Sequence, residues 1–274
     1  KSGNTLETIV NFNTKFNNKN KNIFITEKNN NYLQQLANKL KSDVIEHKNF
    51  IGGRFSVLSE VGMLPAELMG LNESKFKQFN NLITKKKFLN NLTKNVLNIY
   101  KFSKTKKFNS VILNYDYKSE DFFKWYQQLV SESLGKNSKG ILPIISTMPK
   151  DNHSILQLYL SGFKPNFYTF YITEESKSKN LNSKYLFNDF KFLKNKNVFE
   201  ILNSQRIATE NIFKTKKIPF RSFYIKKRNE ETLGELFCFF TLEVILLSHL
   251  FKVNPLDQPD VELVKKETFK ILKN

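Results

Sequence analysis

Apolar residues along this chain switch repeatedly between the 3.6-residue beat of amphipathic helices and short continuous runs of the kind found in strands buried on both faces. Leu6, Ile9, Val10 and Phe16 keep helical spacing over residues 6–16, and residues 23–25 form a short apolar run flanked by asparagines. Residues 32–40 return to the helical beat, and residues 44–46 read as a brief strand. A loop at Gly52 follows, helical character resumes over residues 57–69, and two helices with polar faces are expected at 74–83 and 88–102. The alternation then restarts: strand 111–115, helix 120–134, strand 141–145, helix 154–160, strand 167–172. Beyond a polar loop at 175–184, a helix at 198–213, a strand at 220–225 and a long helix at 233–251 complete the series. Strands separated by helices imply mostly parallel sheets covered on both faces, with ligands expected outside the carboxyl ends of the strands.

Composition sharpens this picture. At 274 residues and 40% hydrophobic content, with 27 phenylalanines, the chain suits two globular units rather than a disordered polymer. The formal charge of +19 raises nucleic-acid binding as a question. The lysines, however, are dispersed among asparagine, isoleucine and phenylalanine instead of forming a stripe, and no zinc-ligand spacing or aromatic–glycine RNA signature is present. The expected partner is therefore an anionic small molecule drawn in by a positive field, with no nucleic acid and no membrane. Cys238 is the sole cysteine, which excludes an internal disulfide and fits a reducing, cytoplasmic setting. The apolar stretch 236–251 is interrupted by Glu243 and His249 and falls short of the roughly 20 apolar residues of a membrane span, so a buried helix is expected. The chain opens at Lys1 with no initiating methionine and reads as a fragment.

Candidate chemistry gathers at a few points. Of the 44 basic residues only four are arginine, and only nine residues are glycine, yet Gly52, Gly53 and Arg54 stand together. Two glycines let a backbone approach a ligand, and the guanidinium fork suits an oxyanion. Lys1, Ser2 and Thr5 precede the first helix, where free amides and the dipole favour a phosphate. Taken alone, Ser2 or Thr5 is as readily a helix cap. Glu132 lies in the last turn of helix 120–134, where the negative end of the dipole disfavours a carboxylate and suits a proton carrier. His153 follows the loop 148–152, and the turn 254–259 leads into a helix carrying Lys265, seven residues past Gln258.

In order, the segments KSGNTLET, GGRFSVLSEVGMLP, QQLVSESLGK, DNHSILQLYLSG and NPLDQPDVELVKK resemble the glucose-6-phosphate isomerase family, which is built on two sugar-isomerase (SIS) domains. The resemblance runs from Lys1 to about Glu267. It implies an α/β fold of two SIS-type doubly wound parallel sheets flanked by helices, the first incomplete, plus a C-terminal helical segment. The implied divisions are 1–78, 79–250 and 251–274. The implied reaction is interconversion of glucose 6-phosphate and fructose 6-phosphate through a cis-enediol(ate), with no cofactor and no metal. Carried over by position, Glu132 is the base, Arg54 steadies the enediolate, His153 and Lys265 open the ring, Lys1, Ser2 and Thr5 hold the phosphate, and Gln128 and Gln258 line the sugar pocket. A homodimer with His153 contributed across its interface is implied. The alternative is a SIS-type module that binds a sugar phosphate without catalysis.

Overall fold

The computed structural model describes residues 6–15, 22–162, 164–175 and 178–273. Lys1, Ser2 and Thr5 lie outside them. The first unit begins with α1 (Leu6–Lys15), β1 (Ile23–Thr26), α2 (Tyr32–Leu40) and β2 (Asp43–Glu46), and β1 and β2 form a parallel two-stranded sheet. Asn31 starts α2 by accepting a hydrogen bond from the Gln34 amide at 3.0 Å, which supplies one of the partners a helix start lacks.

Residues Gly53–Leu58 then form a tight 3-10 turn, and α3 (Glu60–Leu68) starts at Ser59, whose hydroxyl accepts from the Val61 amide. The helical stretch expected from 57 is therefore split by its own cap. The helix expected over 74–83 is likewise two short pieces, α4 (Glu73–Phe76) and α5 (Phe79–Ile83), separated where Lys77 leaves helical geometry. They lead into α6 (Lys86–Lys104).

The second sheet contains β3 (Asn109–Asn114), β4 (Leu142–Thr147), β5 (Asn166–Thr173) and β6 (Phe220–Ile225), ordered β4-β3-β5-β6 and parallel throughout. All eight residues of β5 are buried, as a central strand with helices on both faces requires. On one face, α6, α7 (Glu120–Leu134) and α10 (Glu230–Phe251) enclose a core that includes Ile112, Phe123, Leu129, Tyr171 and Phe240. On the other, α8 (Leu156–Ser161) and α9 (Val198–Thr215) cover Val111, Leu113, Phe170 and Phe213. The helix expected over 154–160 begins instead with a 3-10 turn at Lys150–His153.

By length and composition α10 is apolar enough to cross a membrane. It is packed rather than bare: Leu236, Cys238, Phe240, Val244, Leu247 and Phe251 are buried against the sheet and its neighbours. A small cluster of Met63, Ala66 and Phe76, joined by Leu58 and Leu233, fastens α3 and α4 to α10. Last, α11 (Pro259–Lys273) buries none of its residues and leaves Leu263, Val264, Ile271 and Leu272 more than 60% exposed.

Candidate functional site

The loop after β2 enters the molecule through one side chain. Gly52, Gly53 and the 3-10 turn deliver Arg54 to a place where it is only 2% exposed, at the carboxyl end of β2 and beside the last turn of α7. The Trp125 indole donates to the Arg54 carbonyl at 3.0 Å and fixes the backbone from the α7 side.

Every N–H of the guanidinium has an acceptor. Nε donates to Ser133 Oγ at 3.0 Å. One terminal nitrogen donates to Glu132 Oε2 at 2.9 Å and to Gln258 Oε1 at 2.6 Å. The other donates to the carbonyls of Pro255 at 2.5 Å and Asp257 at 3.0 Å. The five-donor fork thus ties α7 to the turn 254–258, a task for which a lysine has too few and too mobile donors. Burial lowers the affinity of the guanidinium for its proton, with Glu132 opposing, and the reserve of arginine keeps it charged.

Glu132 is held by both oxygens and closed by neither. Oε1 accepts from Gln128 Nε2 at 3.0 Å, Oε2 accepts from Arg54, and the side chain stays 27% exposed. With two lone pairs on each oxygen, the carboxylate keeps capacity to accept a proton. Gln258 links this cluster to an open cleft of about 840 Å³, lined also by Leu6 and Glu7 of α1 and by Glu262, Lys265 and Phe269 of α11. Arg54, Gln128, Glu132 and Gln258 therefore form one hydrogen-bonded group, and Lys265 shares the cleft wall with Gln258. Lys265 itself pairs with Glu262 at 2.8 Å.

His153 stands apart. It is exposed at the end of the 3-10 turn after β4, whereas Glu132 lies before β4 begins. The cluster consequently sits at the amino end of the four-stranded sheet and at the carboxyl end of the two-stranded one, a seam between the sheets. For the larger sheet this departs from the carboxyl-end rule, because the acid is contributed by the far end of α7 instead of by a loop leaving a strand.

The sequence does not single out Ser133, Trp125 or Lys136, and it offers Asp257 only as a helix cap, whereas the structure bonds it to Arg54 and Lys136. Trp125, Gln128 and Glu132 recur at i, i+3 and i+7 on one helical face, a spacing that points to Trp125. Lys136, only 9% exposed, donates to the Asn254 carbonyl and pairs with Asp257 at 2.8 Å. Nothing in the local sequence links those two positions. Among the described residues, no group of three or more His, Cys, Asp or Glu side chains is arranged to hold a metal ion.

A four-stranded parallel sheet with helices on both faces, beside a second parallel sheet, defines an α/β protein in which an acid and a buried cation meet. The same fold occurs in a hypothetical protein of Thermus thermophilus, with TM-score 0.89 and 22% identity over 100% of this chain and 70% of that one. It also occurs in a glucose-6-phosphate isomerase of Chlamydia trachomatis, with TM-score 0.78 and 15% identity over 100% of this chain and 58% of that one. No protein-family model matches the chain. The glucose-6-phosphate isomerase of Methanocaldococcus jannaschii is 34% identical over 287 aligned positions, covering 100% of this chain and 70% of the relative. The chain belongs to the glucose-6-phosphate isomerase family. It spans 51% to 70% of the length of the curated relatives of that name.

Proposed function

We propose that this chain carries the acid–base centre of an aldose–ketose isomerase that interconverts glucose 6-phosphate and fructose 6-phosphate. The observation that supports the reading above all is the convergence of Arg54, Glu132 and Gln258, drawn from sequence separations of 78 and 204 residues, at a cleft the α1 helix also lines. After ring opening, Glu132 takes the proton from C2 of the open-chain aldose and returns it to C1. A positioned acid–base group typically contributes about 10²- to 10⁴-fold. Arg54 stabilises the negative charge that builds up in the cis-enediolate. One such preorganised contact is often worth about 3 kcal/mol.

Lys1, Ser2 and Thr5 grip the phosphate, immediately before the helix whose first residues Leu6 and Glu7 line the cleft. Gln128 and Gln258 orient the sugar hydroxyls, and Lys265 assists at the ring oxygen. His153 works on ring opening in the site of a second copy. In its own chain it is separated from Glu132 by the six residues of β4, about 20 Å at ~3.3 Å per residue, so a homodimer supplies it. The domain reading that accompanies this mechanism is 1–78, 79–250 and 251–274, in a cytoplasmic setting.

The test is a coupled assay for fructose 6-phosphate formation, run on this chain and on a form extended at its N-terminus. Glu132→Gln is expected to lower turnover by about 10²-fold or more while sugar-phosphate binding stays within about tenfold. Undiminished turnover refutes the assigned base, and binding without turnover in the extended parent form points to a non-catalytic sugar-phosphate module.

A further inference from the structure

The loop that carries Arg54 is closed at its base by a histidine. His47 follows β2, and its backbone amide donates to the Thr26 carbonyl at the end of β1 at 2.9 Å. Its ring is 13% exposed. Nε2 lies 3.0 Å from the Ile51 carbonyl oxygen, and Nδ1 contacts Glu60 Oε1 in the first turn of α3. His47 and Glu60 are 13 residues apart, and Arg54 falls midway between them.

Both partners of this imidazole are acceptors. A backbone carbonyl has no proton to give. Burial pushes the Glu60 carboxyl up, but the hydrogen bond from its own amide, the imidazole contact and the charges of His47 and Lys48 outweigh burial and hold it below the usual carboxylate range, so it is ionised. A neutral imidazole has one N–H and satisfies one of the two, whereas the imidazolium satisfies both. Among the described residues, Glu27 just past the end of β1 also faces the ring, and Lys48, paired with Glu46 at 3.1 Å, faces Glu60.

We propose that His47 and Glu60 form a proton-dependent clasp that holds the Arg54 loop closed, which makes His47 a positioning residue for Arg54. The inference rests on the reading of Arg54 as the group that stabilises the enediolate. With both ring nitrogens protonated, β2, the Ile51 turn and α3 are tied together. When one proton leaves, either the Ile51 carbonyl or the Glu60 carboxylate loses its donor and the loop loosens. Neither His47 nor Glu60 lines the cleft beside Gln258, so the clasp acts on turnover more than on binding.

Glu60→Gln separates this from a merely structural contact. A glutamine amide can donate to the lone pair of a neutral Nδ1 while Nε2–H stays on Ile51, so the clasp closes without the extra proton. The wild-type chain, extended at its N-terminus where turnover requires it, is expected to lose about tenfold in kcat as the ring deprotonates, with KM nearly unchanged. In Glu60→Gln that limb of the pH profile flattens, and in His47→Ala kcat is low and the limb is absent. Nitrogen-15 spectra and hydrogen exchange provide a readout free of activity. Both His47 ring nitrogens should carry protons while the loop is closed, and the Ile51 and Phe55 amides, bonded to Lys48 and Gly52 at 3.1 and 2.9 Å, should lose protection when the ring loses one. A ring that is neutral while the loop is closed, or amide protection indifferent to the ring's protonation, overturns the clasp whatever the turnover. Coupled titration and protection in a chain that binds sugar phosphate but does not isomerise it leaves the clasp standing and removes the catalytic reading. If His47→Ala does not fold, Glu60→Gln alone decides.

Discussion

Two of the buried arginine–glutamate pairs among the described residues, Arg221–Glu243 and Arg54–Glu132, are built differently. Arg221 on β6 meets Glu243 on α10 with both terminal nitrogens on both carboxylate oxygens, and its Nε donates to Thr169 Oγ at 2.9 Å. Glu243 is 1% exposed. Burial lowers the Arg221 affinity for its proton, but Glu243 and Tyr126 outweigh that and leave it raised. Arg54 grips Glu132 with one nitrogen, spends its other bonds on Ser133, Gln258 and two carbonyls, and leaves the carboxylate partly open. Here burial wins, and the guanidinium is lowered. A bidentate pair sealed from solvent keeps its remaining lone pairs out of reach of a substrate and serves packing between sheet and helix. A monodentate pair beside a cleft keeps a positive charge unsaturated by its partner and a carboxylate with free lone pairs, which is what proton transfer next to a developing oxyanion requires.

The sharpest break of this contrast is Glu243→Ala. Stranding the buried Arg221 cation is expected to cost about 3–5 kcal/mol in urea unfolding, while Arg221→Met with Glu243→Leu recovers most of the loss. Turnover per folded molecule should be unchanged in the double variant. If it collapses together with stability, the sealed pair is not merely structural and the contrast fails.

Arg54→Lys should divide its effects the other way. A lysine cannot span five acceptors, and the uncovered carbonyls and Ser133 are expected to cost about 1–3 kcal/mol. On the role proposed for Arg54 the loss in kcat should be larger, about 10²- to 10³-fold, because its charge would be displaced from the enediolate. Comparing the urea midpoint with kcat on one preparation checks this. A kcat loss no greater than that of the Arg221 double variant would place Arg54 in the same structural class.

Much of the scaffold on which these pairs sit was legible from periodicity. The expected boundaries for α2, α7 and β6 coincide with those of the structure, because each has a full apolar face or run between clear polar or capping residues. The misjudged segments have physical causes. Ser59 caps in mid-stretch, Lys77 interrupts the expected helix at 74–83, and Asn229 starts α10 three residues earlier than the apolar pattern does. In the site, Arg54 stood out by rarity and Glu132 by its position at a helix end. Ser133, Lys136 and the clasp at His47 were not readable, since each depends on contacts between segments whose register only the folded chain fixes.

The seam that joins the two pairs can be probed at Gly234, which lies on α10 two and a half turns before Glu243. A Cβ there would come within 2.4 Å of the Phe76 carbonyl oxygen and 2.8 Å of its backbone carbons. Alanine is normally better than glycine in a helix by about 1 kcal/mol, but the contact is with backbone, so overpacking of about 1–3 kcal/mol should prevail. Gly234→Ala is therefore expected to destabilise the chain and shift α4 away from α10. A gain in thermal stability would show that α4 is free to move and that the seam is loose.

The smallest expected effect belongs to Lys136, which fastens the turn carrying Gln258 to the end of α7. Its ammonium holds the Asp257 carboxyl below the usual range, first by hydrogen bonding against a small opposing burial, then by charge, with Asn254 and the Arg54 charge adding to it. Asp257 is 53% exposed, so screening limits the pair to about 0.5–1 kcal/mol. Because the folded-state value is depressed, this stability is fully present above the unfolded carboxylate value near ~3.9 and disappears as pH falls through the lower folded one. The stability difference between wild type and Lys136→Met should thus be constant above about pH 5 and shrink below about pH 4. Urea titrations from pH 3 to 6 measure it directly. A difference that persists undiminished at pH 3 would mean that the bonds from Lys136 to the Ser133 and Asn254 carbonyls hold the turn, and that Asp257 contributes only its backbone oxygen to Arg54.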